Sequence, residues 1–417
     1  MREQMAASTL HNGRWRSVVS GAVGILLAGV AAAPAHAESV REKQWHLSAM
    51  QAEKVWRSST GKGVTVAVID TGVNPDLSDL RGRVLPGKDL ALTRAGDEHT
   101  DPQGHGTNMA LLIAGTGKGG GGTGTFGLAP GAKLLPIRIP EYGLDSNQHL
   151  GEGNRAFSQG IRYAADHGAK VISISMGMTK GSPQLTAAVR YALDKGSLVF
   201  AGVGNEGISE LRYPAGTPGV VGVGAVGKNL RKTKESQYGR QVDMAAPGDE
   251  IYTTCASGKG VCNSHGTSSA TALASASAAL IWSKHPDWTN NQVLRVMLNT
   301  IGAPTDGAKR NDSIGYGIVR PRVALRNPGD PGPADEYPLP DLKQSTPAPS
   351  RSKAAAPDAE ETPAAAPEAT EGGGGGAGAT TWIVTGVGAA ALIGGAVAAL
   401  AARKRRAAAD VHVTGRP

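Results

Sequence analysis

Continuous runs of apolar, β-branched residues, spaced by stretches long enough for helices, constrain this chain more tightly than any other feature. Val64 to Ile69 is apolar almost throughout and does not alternate, the pattern of a strand covered on both faces. Lys133 to Ile139, Val171 to Met176, Leu198 to Gly202 and Val220 to Val226 read as further strands. Between and after them, His105 to Ala114, Asn154 to His167, Gln184 to Lys195 and Ser268 to His285 read as helices, two of them stopped by Gly168 and Gly196. Thr289 is placed as the N-cap of a last helix running to Thr300. Strands alternating with helices of this length predict an α/β domain, a mostly parallel sheet with helices on both faces, over residues 61–326. Residues 38–60 then form a short N-terminal extension.

The flanks have a different texture. Residues 327–380 hold ten of the 25 prolines and the glycine run Gly372 to Gly376, a composition that cannot bury enough apolar surface to order itself; a stalk is expected there. Trp382 to Ala402 carries no charge for 21 residues and is followed by Arg403-Lys404-Arg405-Arg406. This predicts a transmembrane helix over 381–402 with a basic cytoplasmic tail over 403–417. At the other end, Arg14 and Arg16 precede the apolar run Val18 to Ala33 and the small-residue sequence Ala35-His36-Ala37. That is the layout of a cleaved signal peptide over 1–37, with an uncleaved amphipathic anchor as the alternative. Together these signals expect a central domain outside the cell, held to the cell membrane by one span.

The net charge of +8 invites a nucleic-acid reading, which its distribution removes. Residues 1–37 carry +2 and residues 403–417 carry +4, leaving only +2 for everything between. No nucleic-acid partner is expected. Cys255 and Cys262 are the only cysteines, and in an extracytoplasmic domain such a pair is most simply a disulfide. A metal site would need Cys or His partners at zinc-like spacing, and none are present.

Three segments carry candidate chemistry. Val66-Ala67-Val68-Ile69-Asp70 puts a carboxylate at the C-terminal end of a buried strand, where open α/β sheets place their sites, though a capping Asp looks the same. Gly104-His105-Gly106 leaves an imidazole uncrowded by neighbouring side chains, as a surface-loop histidine also would be. Gly266-Thr267-Ser268 opens a small-residue helix, setting a hydroxyl beside a backbone N–H at a positive helix end. Each is weak alone. In the order Asp, His, Ser they form the pattern of a catalytic triad.

The three segments resemble the signature blocks of the subtilases, the subtilisin-like serine proteases, over roughly Val64 to Leu325. The short segment Gln44 to Trp56, the Pro/Ala stalk and the single C-terminal span are most similar to the mycosins, membrane-anchored proteases associated with type VII secretion in actinobacteria. The resemblance implies a serine endopeptidase acting on proteins or peptides without a cofactor. Ser268 would be the nucleophile, His105 the general base and Asp70 the group that orients it. Val203-Gly204-Asn205-Glu206-Gly207 resembles the oxyanion block, with Asn205 as donor, and Ser173, Ser175 and Gly177 fall in a segment similar to the one that pairs with extended substrate. Where the family has Met-Ala-x-Pro after the nucleophile, this chain has Ser269 and Ala272. Those departures leave room for a non-catalytic scaffold in a secretion complex, and a general degradative enzyme that is merely tethered is a further alternative. His265 repeats the His-Gly-Thr triplet and is read as a neighbour of the nucleophile. Gly115-Thr116-Gly117-Lys118-Gly119-Gly120 fits a dinucleotide pattern only formally, because it follows a helix and leads into more glycine.

Overall fold

A computed structural model describes residues 39–140 and 150–342. The signal-peptide, transmembrane and tail expectations all lie outside these residues. Among the described residues no helix is long and apolar enough to cross a membrane.

The expected layers form. Strands β1 (Thr65–Asp70), β2 (Lys88–Asp89), β3 (Lys133–Arg138), β4 (Val171–Ile174), β5 (Leu198–Gly202), β6 (Val220–Val226) and β7 (Met244–Pro247) make one seven-stranded sheet in the order β2-β3-β1-β4-β5-β6-β7, parallel throughout. Alternate residues of β1 go to opposite faces. Val66 and Val68 join one core with helices α4 (His105–Ala114), α7 (Thr267–Lys284) and α8 (Asn290–Asn299). Ala67 and Ile69 join the other, against α5 (Leu150–Asp166) and α6 (Pro183–Asp194). Burial on both faces is why these strands read as unbroken apolar runs. The chain goes from β1 to β3 on one side and then to β4 on the other, so the order reverses at β1. The crevice beyond its C-terminal end is where such sheets bind ligands.

Helix α7 runs beneath the sheet with Thr267 to Trp282 all buried. Its alanines and serines let the backbone approach closely. Two of its hydroxyls bond back to the helix, Thr271 and Ser277 each donating to the carbonyl four residues back at 2.7 and 2.8 Å, whereas the buried Ser275 hydroxyl has no partner among the described residues. Thr289 caps α8 as expected, accepting from the Gln292 N–H, with the Gln292 side chain returning to the Thr289 N–H.

Several features lay outside the sequence reading, the two-residue β2 among them. Strand β7 is a four-residue run whose Pro247 hides its strand character. A separate antiparallel hairpin, β8 (Ile251–Thr254) and β9 (Val261–Ser264), leads into α7, and the Cys255–Cys262 disulfide closes its tip. Residues 39–60 are packed as three short helices, α1 (Val40–Lys43), α2 (Trp45–Ala49) and α3 (Ala52–Trp56), and their Leu47, Met50, Ala52 and Val55 belong to the main core. Gln44 bonds the Phe126 backbone in both directions at 2.9 and 3.1 Å, and Trp45 and Trp56 donate to the carbonyls of Asp249 and Leu128. At the other end the expected stalk does not begin at 327. After α9 (Pro321–Arg326), residues 327–342 lie against the domain, with Leu339 buried, Tyr337 donating to the Gly219 carbonyl and Asp341 accepting from the Gly219 N–H. Two apolar anchors in a proline-rich stretch suffice to dock it.

Two outcomes test the integration of residues 39–60. Leu47→Ala, which empties a fully buried site, lowers unfolding stability by about 2–5 kcal/mol in denaturant titration. His46 is fully buried, and its ring nitrogens have no partner among the described residues. Burial, with a smaller contribution from the Arg41 charge, holds its pKa down to about 3 against 6.5 when unfolded. A base whose folded pKa is depressed takes up its proton mainly on unfolding, so the domain loses stability as pH falls from 6.5 towards 3. His46→Leu flattens that part of the stability–pH curve.

Candidate active site

The site assembles at the C-terminal ends of two neighbouring strands. Ile69 of β1 pairs with Ile174 of β4, so the next residues, Asp70 at the end of β1 and Ser175 just past β4, follow side by side, with Asp70 still paired to Arg138 of β3. Asp70 is fully buried, and its Oδ1 lies 2.6 Å from Nδ1 of His105. An ionised carboxylate only accepts, so Nδ1 carries the proton and Nε2 is left as the acceptor. The Thr71 N–H donates to the same oxygen at 2.8 Å. The imidazole itself is about a third exposed, at 36%.

A second carboxylate holds the histidine's helix in place. Helix α4 starts at His105 behind Gly104, whose φ of +78° suits glycine and which offers no side-chain cap. Asp101 caps the helix instead. Its Oδ1 accepts from Gly104 N at 2.9 Å, and its Oδ2 accepts from the Thr107 N–H and hydroxyl at 2.8 and 2.6 Å. Thr71 links the two acids, donating its hydroxyl to Asp101 at 2.8 Å and accepting from the Gly106 N–H at 2.9 Å. Gly106 has no room for a side chain, since a Cβ there would sit 2.2 Å from the Gly72 carbonyl oxygen and 3.0 Å from Asp70 Cβ. Sequence reading gave Asp101 and Thr71 no role. The only signal was the spacing Asp101-x-x-Gly104-x-x-Thr107, that of an acid reaching over a helix start.

Ser268 is the second residue of α7, which packs against α4. Its hydroxyl donates to the Ser175 carbonyl at 2.9 Å, and Ser175 Oγ returns a contact to the Ser268 carbonyl at 3.3 Å. Asn205 Oδ1 accepts from the Thr267 N–H at 2.8 Å, which turns the amide nitrogen of this exposed residue away from that contact. Gly266, at φ +103°, permits the approach, because a Cβ would lie 2.9 Å from the Asn205 amide. First-turn N–H groups have no intrahelical partner, so the Ser268 N–H and the Asn205 amide together suit an oxyanion.

The other predicted residues divide. Ser175 and Gly177 line a small cleft beside Ser268. Ser173 does not reach it; it is an interior residue of β4, buried between β1 and β5. His265 pairs with Glu235 at 2.7 Å, away from the Asp70–His105 pair. Ser269, where the family pattern has Met, is buried and shares a 2.9 Å hydrogen bond with Ser264, so its hydroxyl is satisfied. Ala272 is buried within α7. The glycine run after α4 is turn backbone whose Gly119 N–H bonds Asp79 at 2.7 Å, not a strand-to-helix phosphate loop.

Residues 61–317 match the subtilase family, and the chain belongs to it: it is a subtilisin-like serine endopeptidase. It is 40% identical to thermitase of Thermoactinomyces vulgaris over 216 residues, 51% of this chain and 72% of the relative. Among solved structures it resembles MycP1 from Mycobacterium smegmatis, with a TM-score of 0.64 and 27% identity over 73% of this chain and 89% of that one. MycP3 protease from the type VII (ESX-3) secretion system gives a TM-score of 0.61 and 32% identity over 68% and 88%.

Asp101 generates the prediction for this site. Asp101→Ala strips a shared acceptor from Gly104, Thr107 and Thr71, lowers stability by about 1–3 kcal/mol and loosens His105. Denaturant midpoints together with kcat on a peptide substrate should both fall, while Asp101→Asn retains more of each.

Proposed function

We propose that this enzyme cleaves protein substrates with Ser268 as nucleophile, His105 as general base and Asp70 as the orienting carboxylate. The observation that carries the reading is that Asp70, at the end of β1, and Ser175, just past the end of the neighbouring β4, follow a paired residue on each strand, one holding His105 and the other holding Ser268. Ser268 Oγ attacks the peptide carbonyl while its proton passes to His105 Nε2. In this reading the hydroxyl gives up the Ser175 carbonyl for the imidazole when substrate binds. The imidazolium, stabilised by Asp70, then gives that proton to the leaving amine, and water repeats the sequence on the acyl-enzyme. Asn205 and the Ser268 N–H stabilise the oxyanion in both halves. The backbone of Ser175 to Gly177 lies beyond the end of β4, belongs to no strand of the described residues, and offers an extended substrate an edge to pair with.

The enzyme acts outside the cell, tethered by residues 381–402, in association with a type VII secretion apparatus and its exported proteins. The leader-like N-terminus, the uncharged 21-residue stretch with its basic flank, and the likeness to MycP1 and MycP3 support this part.

Full-length protein in detergent should react with a fluorophosphonate probe, and Ser268→Ala should abolish the reaction. Folded wild type that does not label would overturn the triad assignment. Asn205→Ala should label more slowly and lose about 10²–10³ in kcat, the range known for the corresponding donor in subtilisin itself.

A further inference from the structure

The disulfide hairpin lies between the mounts of the two groups that must meet during catalysis. Strand β9 ends at Ser264, four residues before Ser268, and runs directly into α7. Strand β8 packs on α4, the helix that starts at His105. Its Ile251 and Thr253 are fully buried, and Thr253 Oγ1 lies 3.5 Å from Asn108 Oδ1 of that helix. At the tip, a Cβ on Gly104 would come 2.5 Å from Ala256 Cβ. Ala256 therefore stands against the residue immediately before the histidine, with no space for a side chain between them. The hairpin thus reaches from one helix start to the other.

Its base and its tip are held by different means. At the base, Thr254 donates its hydroxyl to Asp79 at 3.1 Å, and Asp79 also accepts from the N–H groups of Gly119 and Thr125 at 2.7 and 3.0 Å. Ser264 shares a 2.9 Å hydrogen bond with Ser269 on the other strand. The tip has less. Residues 257–261 are exposed, and two backbone bonds close the turn, from Cys255 N–H to the Gly260 carbonyl at 3.2 Å and from Gly258 N–H to the Cys255 carbonyl at 2.7 Å. Water competes for such bonds. The covalent link between Cys255 and Cys262, seven positions apart, is what fixes the ring that contains Ala256.

We propose that the Cys255–Cys262 bond is a positioning device for the catalytic pair: it holds Ala256 against Gly104, and so keeps the His105 imidazole in register with Ser268. The proposal rests on the reading of His105 as base and Ser268 as nucleophile. A ring this short restricts the unfolded chain less than a long one does, which leaves the geometry of the folded site as the larger effect. Proton transfer needs its heavy atoms about 3 Å apart, and a displacement of about 1 Å costs up to about a hundredfold in rate. Asp70 and Asp101 fix the imidazole and its helix to β1 and to the loop before α4. The hairpin fixes that same helix start to the segment that carries the serine.

The test uses full-length protein in detergent and reads the denaturant midpoint, the rate of fluorophosphonate labelling, and kcat and KM on one peptide substrate. Cys255→Ser combined with Cys262→Ser should stay folded on its anchored base, lower the labelling rate and kcat by roughly tenfold, and leave KM within about twofold. Ala256→Gly keeps the disulfide but removes the methyl group that meets Gly104, and should lower both rates in the same direction by a smaller factor. Variants that lose stability yet label and turn over like wild type would make the bond a simple staple and overturn the proposal. A rise in KM at unchanged kcat would overturn it too. Should the double variant not fold, Ala256→Gly decides alone, and wild-type rates in it sink the idea. Wild type that fails to label removes the triad reading itself, whereas a labelled wild type with insensitive variants leaves that reading intact.

Discussion

A carboxylate buried at the end of a central strand needs partners, and much of this site follows from how Asp70 finds them. Its buried Oδ2 has none among the described residues, so Oδ1 carries the bonding, from the Thr71 N–H at 2.8 Å and from His105 at 2.6 Å. That contact requires α4 to begin within reach of β1. The helix start is crowded enough that Gly106 cannot carry a side chain, and polar enough that Asp101 and Thr71 are needed to collect its N–H groups. One acid orients the imidazole and the other orients the helix that carries it. Both are structural demands before they are chemical ones.

The serine side obeys a different constraint. Helix α7 must lie flat under the sheet, which small side chains allow, and it begins where Gly266 can bring the backbone against Asn205. The two family positions that differ, Ser269 and Ala272, sit inside this packing without an unmet need. Ser269 finds the Ser264 hydroxyl, and an alanine at 272 leaves a regular helix undisturbed. The departures change residues around Ser268, not its place at the start of α7.

Much of this was legible beforehand because two-face burial leaves an apolar signature and because catalytic blocks are written in contiguous residues. Strands β5 and β6 and helix α4 coincide with their expected bounds. What was hidden depends on contacts between distant segments. Ser173 belongs to the same stretch as Ser175, but β4 ends at Ile174, so Ser173 is locked inside the sheet and only Ser175 meets the cleft. Residues 327–342 have the composition of a spacer, and a tyrosine and a leucine override it.

Because α7 both bears Ser268 and packs against β1, β4, β5, β6 and β7, Ser268 comes into place through the docking that completes the core. That docking reaches from β7, about twenty positions before the helix, back to β1, about two hundred before it. Asp70 and His105 therefore leave the ribosome well before Ser268, and the three side chains can meet only in a chain whose core has closed.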